Sequence, residues 1–120
     1  MNQIVIEING LQLPSWNKIY SSPSWGMRKN IVDTVHRDIG YQLNQMDLPM
    51  FESIVDIRVE CFYKDNRRPD SDNVCDKLAI DSLKGVVIHD DDWRWVRYTS
   101  SASFLDRDNP RTVITITEVG

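Results

Sequence analysis

Seven of the chain's 18 acidic residues fall between Asp70 and Asp92, and their spacing is the first feature with chemical content. Asp70 and Asp72 stand two apart, just after Lys64, Arg67, Arg68 and Pro69. Asp90, Asp91 and Asp92 form an unbroken run after the apolar triplet Val86, Val87 and Ile88. Carboxylates so crowded repel one another, and a folded chain tolerates that most easily with a hard cation among them. Pro69 disfavours helix for Arg68, so the residues after it are predicted to be extended or turning. In an extended segment the side chains at i and i+2 point the same way, about 7 Å apart along the strand. Asp70 and Asp72 are therefore expected to face one ion, with Ser71 turned away. A calcium loop beginning at Asp70 is excluded, because Val74 occupies a ligand position and no Gly stands at the turn.

The elements that position these acids follow from pattern. Asp72 and Asn73 are good N-caps for a helix predicted from about Val74, and Gly85 suits the position just past its end. Val74, Cys75, Leu78, Ala79 and Leu83 form its apolar face. Asn73, Lys77 and Asp81 lie opposite, with Lys77 and Asp81 at i,i+4 spacing. Val86 to Ile88 reads as a short buried strand that delivers the aspartate run. Strand–helix–strand folding then brings the two acid groups together, giving a site of Asp70, Asp72 and one or more of Asp90, Asp91 and Asp92.

Elsewhere, Ile4 to Ile8 alternates as a first strand, and Leu11 to Tyr20 reads as loop. Trp25 to Met46 is a long helix, with Ile31, Val35, Ile39 and Leu43 at near-helical spacing. Val55, Ile57, Val59, Cys61 and Tyr63 alternate with polar residues as a half-buried strand leading into the acidic stretch. Trp93 to Phe104 reads as a strand with Val96, Tyr98, Ala102 and Phe104 on one face. Asn109-Pro110 marks a turn, and Thr112 to Glu118 closes the chain as a hairpin partner.

Residues 1–120 are read as a single domain, long enough for a core without staples. With 41% hydrophobic and 27% charged residues, the composition excludes disordered and fibrous classes. No apolar run approaches the roughly 20 residues of a membrane span, and Ile4 to Ile8 is too short for a signal peptide. Cys61 and Cys75 fit free thiols in a reducing cytoplasm. With His36 and His89 they match no recognised zinc spacing; His36 reads as a surface or packing residue. The net charge of −4 is unusual for a DNA binder, but residues outside 70–92 comprise 11 acids and 12 bases. Lys64, Arg67 and Arg68 on one side of the acids, with Arg94 and Arg97 on the other, are candidate phosphate contacts. Trp93 and Trp95 read as core or dimer-interface anchors in preference to base-stacking groups.

The stretch from Asp70 to the aspartate run resembles the signature of the RusA family of Holliday-junction resolvases. That signature is Asp-x-Asp-Asn, a helix bearing Lys, then Asp-x-Leu, and an Asp pair after a short apolar run. Here these are Asp70 to Asn73, Lys77, Asp81 to Leu83, and Asp90 to Asp92. Leu13 to Tyr20 is similar to the family's N-terminal Pro-Ser-x-Asn-x-x-Tyr, and Ile114 to Glu118 to its closing strand. Two departures stand out. Lys77 follows Asn73 by four residues where the family pattern has three, which implies a longer entry loop ahead of the helix. Asp92 is a third acid where the family has two, and counting ten from Asp81 selects Asp91, with Asp90 next.

The resemblance implies an α+β fold, with a mixed or antiparallel sheet of four or five strands packed by two helices. It implies a cytoplasmic enzyme of a bacterium or its phage that cuts four-way DNA junctions on paired strands as a homodimer. Asp70, Asp72 and Asp91 would hold Mg²⁺, with Mn²⁺ a substitute, and Lys77 would stabilise developing charge. Asn17 and Tyr20 would help shape the site; the competing reading of this segment is a capped turn that packs Trp16 and Tyr20 into the core. No small-molecule cofactor is expected. The competing readings are a less selective nuclease for flaps or single strands, and a non-catalytic DNA-binding protein of the same fold.

Overall fold

The computed structural model describes residues 2–119. In chain order the elements are β1 (Gln3–Asn9), α1 (Trp16–Tyr20), α2 (Trp25–Leu43), β2 (Val55–Tyr63), α3 (Lys77–Leu83), β3 (Val96–Leu105) and β4 (Arg111–Glu118). One 3-10 turn, Ser71–Asn73, stands between β2 and α3. The strands form one mixed sheet in the order β1-β4-β2-β3. β4 is antiparallel to both β1 and β2, whereas β2 and β3 are parallel. The expected α+β class is what the chain adopts, with a third, five-residue helix beyond the two anticipated.

Parallel neighbours need a long crossover. Residues 64–95 supply it, and they contain the whole acidic stretch. The acids therefore lie on a connection that the sheet edge and α3 must hold in place. The alternation along β2 is as expected: Val55, Ile57, Val59, Cys61 and Tyr63 are buried. They join Ile6, Ile8, Ile114 and Ile116 of the neighbouring strands in one core with Val35, Ile39 and Leu43 of α2. α3 adds Leu78, Ala79, Ile80 and Leu83 to that core. Each fully buried Leu or Ile contributes about 1.5–3 kcal/mol, so α3 is anchored by packing despite having only seven residues. The opposite sheet face carries polar and aromatic pairs. Phe104 stacks on Phe62 with centroids 4.9 Å apart, and the Arg111 guanidinium lies 3.9 Å from the Phe62 ring centroid.

Several expectations are corrected. α1 occupies part of the predicted Leu11–Tyr20 loop, because Ser15 caps it by accepting from Lys18 N at 3.0 Å. β4 is no hairpin partner of β3. Asp106 N donates to Tyr63 O at 2.8 Å, and the chain then enters β4 on the far side of β2. On β3 the expected apolar face fails: Tyr98 is 66% exposed, while Ser103 is buried. An irregularity between the Val55–Val96 and Ile57–Thr99 pairs inserts one residue into β3, and one residue reverses every later side chain. Val86 to Ile88 is a turn, not a strand. Gly85 at φ +76° ends α3 as foreseen, and the amides of Val86, Val87 and Ile88 all donate back to Leu83 O. Val87 and Ile88 are buried because that turn folds under the core, and a three-residue apolar run signals burial without specifying strand. No helix among the described residues is long and apolar enough to cross a membrane.

Candidate functional site

Asp70 and Asp72 sit on a turn that is latched to the edge of the sheet. Asp70 is extended after Pro69, but the chain then coils into the 3-10 turn, closed by Asn73 N donating to Asp70 O at 2.9 Å. The predicted extended pairing of Asp70 with Asp72 is therefore replaced by a tight turn. Ser71, though exposed, is bonded to β3. Its Oγ accepts from Ser103 N at 3.0 Å, and its carbonyl accepts from Ser101 Oγ at 2.7 Å. Arg68 Nη1 donates to Ser103 O at 2.8 Å on the same edge. Both aspartates are exposed. Among the described residues neither carboxylate has a hydrogen-bond or ion-pair partner, and Asp70 caps nothing.

The Leu13–Tyr20 segment packs against this turn. Cys75 N donates to Pro14 O at 3.0 Å, Ser15 bridges to Val74, and Asn17 N donates to Asn73 Oδ1 at 3.3 Å. Tyr20 is 69% exposed and stacks on Trp16 at 5.8 Å, outside the core.

α3 begins at Lys77 and not near Val74 as expected, and Asp76 stands at its N-cap in place of Asp72 or Asn73, which lie on the preceding 3-10 turn. Asp76, predicted neither as cap nor ligand, occupies the N-cap position without a capping bond, and burial raises its pKa. A line of alternating charge then runs along the helix to the second acid group. Lys77 Nζ stands 3.3 Å from Asp81, Lys84 stands 3.7 Å from Asp81, and Lys84 stands 3.5 Å from Asp91. Asp81, followed by Asp91, raises the pKa of Lys84. Sequence reasoning assigned Lys84 to no site; its proximity to Asp91 depends on the turn at Gly85, which no spacing rule encodes.

The aspartate run divides by partner. Asp92 is bound by the Arg94 guanidinium at 2.7 Å and by the Arg94 amide at 3.0 Å, which lowers its pKa. That engagement makes it the poorest ligand of the three. Among the described residues, Asp90 accepts only from Asp91 N at 2.8 Å, and Asp91 meets Lys84 alone. All these candidates offer carboxylate oxygen, the donor a hard divalent cation takes. In chemistry the donor set fits Mg²⁺. Among the described residues no three acidic, His or Cys side chains stand together as a metal-holding group. The fold thus holds the Asp70–Asp72 turn and the aspartate run as two groups, not the single closed set expected.

The candidate phosphate contacts are mostly engaged. Arg67 pairs with Asp65 at 3.0 Å, Arg94 with Asp92, and Arg97 with Asp56 at 2.8 Å. Arg68 serves the latch, and Lys64 has no ion-pair partner among the described residues. Trp95 packs against the core and beside His89, at 4.7 Å between centroids; Trp93 is 82% exposed. Cys61 and Cys75 are free and buried, and burial raises the Cys75 thiol to about 11.

Two hollows border the acid turn. One of about 370 Å³ is lined by Arg68, Asp70, Ser71 and Ser103. The other, about 620 Å³, opens between α1, α2 and the Pro69–Asn73 stretch.

An α+β domain that presents, on a latched turn, carboxylates unpartnered among the described residues has the parts from which metal-assisted hydrolysis is built. Comparison with known proteins narrows that class. Residues 29–117 match the family model for endodeoxyribonuclease RusA, and the chain belongs to that family of DNA-cutting hydrolases. No curated protein matches it.

Proposed function

We propose that this protein is a Mg²⁺-dependent, structure-selective endodeoxyribonuclease that resolves four-way DNA junctions by paired phosphodiester hydrolysis. The observation that carries the reading is the Asp70–Asp72 turn. Three hydrogen bonds pin Ser71, through its carbonyl and its Oγ, and flanking Arg68 to β3, while the turn's two carboxylates have no partner among the described residues. Asp70 and Asp72 on the turn would hold the cation, with Asp91 of the aspartate run completing the set once the two groups converge on it, Asp90 the alternate and Mn²⁺ a substitute. When bound, Mg²⁺ supplies charge neutralisation at the phosphate and activation of water for in-line attack. The chain's own groups do the rest. Lys77, on the first turn of α3, stabilises charge developing on the phosphate or its leaving oxygen. Lys64 and the arginines orient the backbone, the ion-paired ones by exchanging a carboxylate for a phosphate. A four-way junction has approximate two-fold symmetry and needs two cuts, which a C2 homodimer with two such sites provides. Free thiols and DNA as substrate accord with a bacterial or phage-encoded protein acting in the cytoplasm.

The test pairs cleavage with binding. Wild-type protein should cut a synthetic four-way junction with Mg²⁺ or Mn²⁺ and not with chelator. Asp70→Asn should abolish cutting while junction binding stays equal or tightens, because one repulsive charge is gone. Its melting temperature should be unchanged. Full activity in the variant would remove Asp70 from the site, and a joint loss of binding and stability would make the pair structural. Equal cutting of flap, linear and four-way DNA would replace the resolvase reading with a less selective nuclease. Binding without cutting in any metal would leave a non-catalytic DNA-binding protein.

A further inference from the structure

One ammonium group stands at the candidate metal ligands without a part in the nuclease reading. Lys84 ends α3 with its backbone extended, at φ −63° and ψ 130°, and Gly85 at φ +76° then reverses the chain. Gly85 N closes the reversal by donating to Ile88 O at 2.7 Å, and Asp91 follows shortly after. The turn sets Asp91 against Lys84. Lys84 Nζ lies 3.5 Å from Asp91 Oδ1 and 3.7 Å from Asp81 Oδ1. Lys84 is exposed, while both acids are half-buried.

The cations around this point are not equivalent. Lys77 pairs with Asp81 at 3.3 Å, Arg94 with Asp92, and His89 with Glu52 at 2.9 Å. Among the described residues Lys84 is therefore the one cationic side chain in contact with Asp91. It neutralises that carboxylate and ties the aspartate run to the end of α3. An ammonium and a hard divalent cation repel each other, so they cannot share one carboxylate oxygen. Lys84 must leave Asp91 when that carboxylate takes a metal ion. Asp81 keeps Lys77 as its partner, and the displaced ammonium is left in need of an anion. Its flexible four-carbon stem and three rotatable donors let it swing outward. The anion that arrives at such a site is a phosphate of the bound strand. An ion pair this exposed is weak, so the exchange costs little, whereas a buried pair would bar the metal.

Resting on the nuclease reading for its metal and substrate, we propose that Lys84 is the resident counter-ion of Asp91 and changes partners as the site assembles. It gives up Asp91 to the divalent cation and binds a strand phosphate instead. Metal and DNA then strengthen each other's binding, by the same factor in both directions. A lysine that only complements the end of the helix dipole produces no such coupling.

The experiment uses the full-length protein and two binding readouts. Calorimetric titration follows Mn²⁺ binding without DNA. Fluorescence anisotropy follows binding of a four-way junction in chelator and in saturating Ca²⁺, with the DNA checked for cuts on a denaturing gel. Lys84→Gln, which removes the charge, should bind Mn²⁺ about two- to fivefold tighter than wild type. Its gain in junction affinity on adding Ca²⁺ should be smaller than the wild-type gain by about threefold, the scale of one exposed ionic contact. Lys84→Arg, which keeps the charge, should stay close to wild type in both readouts. Lys29→Gln, which removes an exposed, ion-paired lysine on α2, should change neither. Equal or weaker Mn²⁺ binding in Lys84→Gln would overturn the counter-ion role. Tighter Mn²⁺ binding with an undiminished gain in junction affinity would overturn the change of partners. A wild-type protein that shows the coupling but cuts no junction in any metal would overturn the nuclease reading and leave Lys84 as the link between metal and DNA.

Discussion

Lys77 and Lys84 illustrate how one helix can offer two ammonium groups to the same acids. Both contact Asp81, but only Lys84 also reaches Asp91. A cation entering at Asp91 must compete with Lys84, whereas Lys77 stands at the end of the helix next to the acid turn. The two should therefore differ in kind. Lys77→Ala should lower the cleavage rate by about 10²-fold or more, the scale of losing one charge-stabilising donor. Lys84→Ala should cost much less in rate at saturating metal, while the Mg²⁺ concentration for half activity falls by about two- to fivefold, as removal of a weak, exposed competitor permits. Metal titrations of both variants check this, and the reverse ranking would show that the single inserted residue before α3 had been misplaced.

At the scale of elements, the acids are held by a latch and not by a strand of their own. Ser71 and Arg68 tie the turn to Ser101 and Ser103 on the edge strand β3. The same bonds cover part of an edge that would otherwise offer unpaired backbone groups to another chain. Ser71→Ala removes one acceptor, a loss of about 1 kcal/mol in net stability. It should also let the carboxylates wander, and catalysis is sensitive to displacements of about 1 Å. We expect cleavage to fall about tenfold or more with a melting temperature within a few degrees of wild type. Activity unchanged alongside that small loss of stability would show that the latch holds the fold and not the site.

The whole molecule links its edge strand by charge. The Arg97 guanidinium binds Asp56 across β2 and β3 at 3.2 and 2.8 Å. That hydrogen bonding holds Asp56 below its ordinary value of 3.8. Asp106, bound by Arg111, is lowered in the same sense. A depressed carboxylate contributes stability above its unfolded value, and the contribution is lost as pH falls through the lower folded one. Asp76 works oppositely, since burial raises it and its ionisation weakens the fold as pH rises through the raised value. Melting temperature should therefore drop between about pH 5 and pH 3, and Asp56→Asn should show a shallower drop over that window. An identical slope would mean the Asp56–Arg97 pair is not formed in solution. On assembly, the two-cut requirement predicts a dimer; sedimentation giving only a 14.0 kDa monomer at micromolar concentration, with junction cleavage intact, would refute it.

The sequence by itself determined the run of β2 and the stop at Gly85, and it singled out the acids proposed as metal ligands. Each of these rests on a local rule: a period of two, a left-handed glycine, or like charges too dense to be incidental. Contacts distant in sequence decided the rest. The partner of β4 could not be read from Asn109-Pro110, because a turn signal fixes where the chain bends and not which strand it meets. The face of β3 depended on one inserted residue, visible only in its register with β2. Asp70 and Asp72 share a turn instead of a strand because Ser71 finds its partners on β3, 30 residues away. Asp92 was set apart by Arg94, and Asp91 was given Lys84, by side-chain geometry that spacing does not encode. Local propensity is a property of neighbours in sequence, whereas a site is a meeting of neighbours in space, and only the packed chain determines which residues those are.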